Sequence, residues 1–136
     1  MLLQLNDYVQ KDIDKIQQWF NDAFGFIPSK KQVVMFAAES IREVIAEIII
    51  KKRINYKGIG TMAINIPESL ANKLKEYVME TGELFYSVSF LVECLILFRS
   101  LALPEIKKKG LVINELKKLK PEVFNGHIYE AILNKE

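Results

Sequence analysis

Thr61-Met62-Ala63-Ile64-Asn65-Ile66-Pro67-Glu68-Ser69-Leu70 is the stretch that decides the fold of this chain. Met62, Ile64 and Ile66 alternate with Thr61, Ala63 and Asn65 at period two, the pattern of a strand with one buried face. Pro67 suits a helix start, where a missing N–H costs nothing and φ is already set. Leu70, Leu74, Tyr77 and Val78 then form a helical stripe, which Gly82 stops. A more apolar helix follows. Ser87 or Ser89 caps it, Phe90, Leu91, Cys94, Leu95 and Phe98 give it a wide apolar face, and Pro104 ends it. A strand this short cannot bury itself, so the segment is half of a domain in need of a second strand.

Upstream, the same plan recurs in weaker form. Met1 to Leu5 is short and apolar and reads as a strand, although its alternation is poor and Asp7 falls where an apolar residue is wanted. Asn6-Asp7 can cap a helix whose stripe is Val9, Ile13, Ile16, Phe20 and Ala23, and Gly25 ends it. Ser29 and Gln32 stand in capping-box relation at the start of the next helix, whose stripe of Val33, Ala37, Ile41, Val44 and Ile48 carries it to about Lys52. Residues 55–60 read as a linker. Strand-helix-helix therefore occurs twice, about 57 residues apart, without residue-level identity. The tail carries a basic run, Lys107-Lys108-Lys109, then a helix around Asn114 to Lys120 and a last amphipathic stretch from Val123 to Ile132. The expected fold is mostly α with a short antiparallel β-ribbon. It divides into a degenerate unit at 1–54, a second unit at 55–103 and a helical extension at 104–136.

Bulk properties narrow the function. The chain has 136 residues, one domain's worth, and a net charge of +2. Half of it is hydrophobic, with a mean hydropathy of +0.09, which points to apolar surface buried between subunits or at a membrane. Leu84 to Leu103 has the length a bilayer requires. Glu93 at its middle would cost about 2.5 kcal/mol or more at the bilayer centre, so a helix buried in an oligomer core is the better reading. The single Cys94 cannot form an internal disulfide, and with the single His127 it does not make a zinc site. No basic n-region opens the chain, and a cytoplasmic location is expected. No nucleophile-base pair, phosphate loop or metal-ligand spacing is present, so the expectation is a non-enzyme without cofactors.

Thr61 to Leu101 resembles the ribbon-helix-helix DNA-binding proteins, a family of small repressors and antitoxins. The resemblance rests on the alternating strand, the Ile66-Pro67-Glu68-Ser69-Leu70 turn into the helix, the Glu80-Thr81-Gly82 stop and the Ser87-Val88-Ser89 helix start. Glu83-Leu84-Phe85-Tyr86 departs from it by lengthening the joint. Residues 1–45 look like a degenerate copy, which would let one chain form the intertwined pair that family members make as dimers. Archaeal viruses encode members, and the Lys- and Ile-rich, Arg-poor composition leans that way; the location would then be the host cytoplasm.

What the resemblance implies is a two-stranded ribbon in the DNA major groove, which is wide enough to take one. The outward side chains Thr61, Ala63 and Asn65, with Leu2, Gln4 and Asn6 from the first strand, would face the bases. Asn pairs with adenine N6/N7, and an Ala methyl packs on a thymine methyl. No Arg lies in either strand, so the operator core is expected to lean toward A/T. Helix starts at Ser29-Lys30-Lys31 and at Ser87 and Ser89 would hold phosphates, with Lys57 beside the ribbon. The apolar stretches of the tail suggest homo-oligomers along DNA. The reading from another class is a helical structural or interaction protein, of a virion or a membrane, without sequence-specific binding.

Overall fold

The computed structural model describes residues 1–39, 60–82 and 85–105. The continuation of the second helix to Lys52, the linker with Lys57, and the tail with Lys107–Lys109 and His127 lie outside the described residues. Described are a strand β1 (Leu2–Leu5), helices α1 (Gln10–Phe24) and α2 (Lys30–Ala38), a strand β2 (Met62–Asn65), and helices α3 (Glu68–Glu80) and α4 (Val88–Ala102). Strand, helix, helix thus occurs twice in order. The expected spacing needs correcting. Leu3, Asp7, Val9 and Ile13 stand 61 positions before Ile64, Glu68, Leu70 and Leu74, whereas the caps Ser29 and Ser87 are 58 apart. The difference of three is close to one helical turn. It lies between Ile13 and Ser29 on one side and Leu74 and Ser87 on the other, where α1 outlasts α3 and the following joint is shorter.

β1 and β2 pair antiparallel in the register Leu2↔Asn65, Leu3↔Ile64, Gln4↔Ala63 and Leu5↔Met62. The pairing runs on by one residue, because the Ile66 N–H donates to the Met1 carbonyl at 2.9 Å and the Met1 nitrogen to the Ile66 carbonyl at 3.0 Å. Period two then sorts the faces. Leu3 and Leu5 are fully buried and Met62 and Ile64 half-buried, while Leu2, Gln4, Ala63 and Asn65 are exposed. β1 ends where it does because the Asn6 side chain accepts from the Tyr8 N–H and turns the chain into a 3-10 turn at Asp7–Val9. Asp7 therefore never occupies a strand position, which resolves the mismatch in the alternation.

The helix boundaries follow local chemistry. Gly25 closes α1 in the left-handed conformation (φ 78°), donating to the Asn21 carbonyl, and Gly82 has φ 65° just past α3. Few side chains tolerate that region. Ser29 and Gln32 make the full capping box at α2: the Gln32 N–H donates to Ser29 Oγ at 3.1 Å and the Ser29 N–H to Gln32 Oε1 at 2.8 Å. At α4 the cap is Ser87, which accepts from the Phe90 N–H at 3.0 Å.

α4 is the centre of the molecule, packed against β1, α1, α2 and α3. Every residue from Phe90 to Ile96 is buried, as expected of a helix that is apolar nearly all round. Its length and hydrophobicity are thus explained within one chain, without a subunit core or a membrane. No helix among the described residues is long and apolar enough to cross a bilayer. Phe20 anchors an aromatic group with Trp19, Phe24, Phe26 and Phe36, and Arg99 of α4 lies 4.7 Å over the Phe36 ring. Phe20 and Phe36, both fully buried, each contribute about 1.5–3 kcal/mol on leaving water.

Candidate nucleic-acid interface

The outward face of the ribbon is a small surface of Leu2, Gln4, Ala63 and Asn65, none of which carries a charged side chain. Leu2 stands opposite Asn65 and Gln4 opposite Ala63, so the two amides are diagonal neighbours. Diagonal positions are about 7–8 Å apart on a sheet. An amide side chain offers a donor and an acceptor side by side, which is what the Hoogsteen edge of adenine requires.

The ends of this face are chemically occupied. Thr61 is exposed, and its hydroxyl donates to Asp7 Oδ1 at 2.6 Å, tying the start of β2 to the turn after β1. Asn6 is half-buried, and its side-chain oxygen is engaged with the Tyr8 N–H at 3.1 Å. Of the residues expected to face bases, the structure brings Leu2, Gln4, Ala63 and Asn65 together on one open surface. Thr61 and Asn6 sit at its end with partners already in place.

The open edge of β1 faces α4. Gln4 in β1 and Asn6, just past its end, turn their N–H groups away from β2. Ser89 and Glu93, four apart and on one face of the helix, receive them. The Gln4 N–H donates to Ser89 Oγ at 3.3 Å and the Asn6 N–H to Glu93 Oε1 at 2.6 Å. A small polar hollow of about 110 Å³ separates strand and helix, bounded by Gln4, Asn6, Tyr86, Ser87, Ser89 and Glu93. Glu93 is 5% exposed. Its carboxyl is held above its ordinary range by burial, against which the Asn6 N–H pulls downward. Nothing in the sequence around Glu93 marks this role, since the residue it supports is 87 positions away. Tyr86 lies exposed beside it, stacked on Phe90 with ring centroids 4.5 Å apart. Its hydroxyl is pushed up by partial burial and then by Glu93 and Cys94.

The two helix starts differ. At α2, Ser29, Lys30 and Lys31 are all exposed, and the lysines stand in the first turn. Cations there oppose the helix dipole by a few tenths of a kcal/mol unless an anion sits between them. At α4, the matching positions are Ser87, Val88 and Ser89; Val88 is buried, and Ser89 is spent on Gln4. Among the described residues no group of His, Cys, Asp or Glu side chains could hold a metal ion. No family model, no curated protein and no solved structure matches the chain.

Proposed function

We propose that the protein is a sequence-specific DNA-binding transcription regulator that inserts its β-ribbon into the major groove, with two ribbon-helix-helix units in one chain. One observation carries the reading. Two strands about 60 residues apart pair antiparallel with both apolar faces turned to the core, leaving Leu2, Gln4, Ala63 and Asn65 outward. A two-stranded ribbon with one face turned to the core and a small outward face carrying two amides has the width and the functional groups that a major groove accepts.

In this reading Gln4 and Asn65 pair with adenines, and Leu2 and Ala63 pack on thymine methyls. Gln4 and Asn65 sit about two base steps apart along the groove, given a rise of about 3.4 Å per base. With no guanidinium on the ribbon, the commonest guanine contact is missing, and the operator core leans toward A/T. Lys30 and Lys31 contact backbone phosphate at the start of α2, where the dipole also favours an anion. Thr61 acts chiefly by holding the ribbon to Asp7.

A gel shift on A/T-rich duplexes at several salt concentrations tests this. Gln4→Ala and Asn65→Ala should each weaken specific binding by about 1–3 kcal/mol, or five- to 150-fold, and leave non-specific binding unchanged. Lys30→Ala with Lys31→Ala should weaken binding at all sequences and lower the salt slope by about 1 per lysine. Equal binding by wild type and both amide variants at every sequence would remove the ribbon from the reading.

A further inference from the structure

We propose that the ribbon reads an operator without two-fold symmetry and so sits on DNA in one orientation, an inference that rests on the ribbon being the base-reading element. The two strands are related by the 61-residue offset. It relates Leu3 to Ile64, which are also directly opposite each other, so an approximate two-fold axis passes through that pair. The same offset relates Leu2 to Ala63 and Gln4 to Asn65. A two-fold face would demand identical residues in each pair and would read an inverted repeat.

The chain instead supplies pairs of one chemical kind and unequal reach. Gln4 carries its amide one methylene further than Asn65. Leu2, 56% exposed, extends an isobutyl group where Ala63 has a methyl. A base edge at the right distance for one amide is therefore misplaced for the other. The ends of the ribbon differ too. The Asn6 position carries an N–H that Glu93 fixes at 2.6 Å, whereas its counterpart 61 positions on is Pro67, which has no N–H.

The anchors break the symmetry further. The 58-residue offset of the second helices sets exposed Lys30 and Lys31 against buried Val88 and half-buried Ser89. One flank of the ribbon thus offers two cations to phosphate. The other offers none in its first turn, and a buried carboxylate, Glu93, stands one turn further along α4. Turning the protein end for end on a given duplex would exchange a strong phosphate anchor for a weak one and mismatch both amides.

The experiment is selection from random duplex DNA, followed by affinity cleavage on a duplex long enough for one footprint. An iron chelate is attached at Ser69→Cys, an exposed first-turn position of α3. Cys94 will not compete for the reagent, being fully buried with its thiol pushed up to about 12. The expected consensus has halves that are not inverted repeats. Cleavage should favour one flank by about tenfold or more, the worth of one good base contact. In Leu2→Ala/Gln4→Asn protein, which evens the ribbon, the selected core should move toward an inverted repeat while the chain keeps its circular dichroism and melting profile. A palindromic wild-type consensus with equal cleavage on both flanks overturns the orientation and leaves the DNA-binding reading standing. No enriched sequence at all overturns both.

Discussion

Replacing Gly60 by alanine tests whether the ribbon register is as tight as its geometry indicates. A Cβ at Gly60 would fall 2.6 Å from the Leu5 carbonyl carbon and closer still to the Gln4 carbonyl oxygen, where ordinary contact begins at 3.4 Å. Both atoms are backbone, so no rotamer change relieves the clash. The start of β2 has to move away from β1 by most of an ångström, beside the Leu5↔Met62 pair and the Thr61–Asp7 hydrogen bond. Overpacking of this kind costs about 1–3 kcal/mol. Alanine also stiffens the unfolded chain, which returns about 0.4–1 kcal/mol. The net expectation is a loss of about 1–2 kcal/mol, or about 3–10 °C in Tm for a chain of this size. Gly82→Ala is the control. Nothing lies within 4 Å of a Cβ there, but φ is +65°, so it should lose about 1–2 kcal/mol through backbone strain alone. Thermal melts by circular dichroism measure both variants, and gel shifts separate them: only Gly60→Ala should impair DNA binding beyond its effect on folding. A Gly60→Ala protein that melts within about 1 °C of wild type and binds DNA equally would refute the reasoning.

Further outcomes are expected at Glu93 and Cys94. Glu93 is held above its ordinary value of 4.5 in the folded chain, so folding favours its protonated form. The stability it adds is full below pH 4.5 and is lost as pH rises through the raised folded value. Glu93→Gln, which keeps an acceptor for Asn6, should flatten that decline in urea titrations run across pH. Glu93→Ala should cost about 1–3 kcal/mol by stranding the Asn6 N–H, and a Glu93→Gln protein with an unchanged pH profile would show that the carboxyl is not the source. Cys94, fully buried and with a thiol pushed up to about 12 by burial and then Glu93, should resist maleimide at pH 7 until denaturant is added. Labelling of the native protein at the rate of a free thiol would contradict its place in the core.

Much of this architecture could be read from local pattern. Met62, Ile64 and Ile66 announce the inward face of β2, Ser29 and Gln32 their capping box, and Gly25 and Gly82 the helix stops, because each signal lies within four residues of its effect. β1 was harder to read: Leu2, Leu3 and Leu5 are all apolar, and only pairing with β2 decides that Leu2 faces out. Glu93 and Asp12 illustrate the same limit. A charge in a helix ordinarily reads as solvent-facing. Here Glu93 is buried to serve Asn6, and Asp12 is buried against the Ser100 hydroxyl at 3.1 Å, partners 87 and 88 positions away. Of the candidate interface, the outward amides were legible from period two. The Thr61–Asp7 bond, which spans 54 positions, was not.

The central placement of α4 has a consequence for how the chain acquires its structure. The helix that completes the core of the first unit lies some fifty residues after α2. A ribosome emitting about 5–20 residues per second leaves β1, α1 and α2 without their packing partner for seconds, longer than such helices need to form or melt. The leading segment therefore waits with Leu3 and Leu5 of β1 uncovered, and α4 acts as the keystone whose arrival shuts ribbon and bundle together. Deletions or stop codons before residue 88 should accordingly yield insoluble or rapidly degraded product rather than a smaller, functional half.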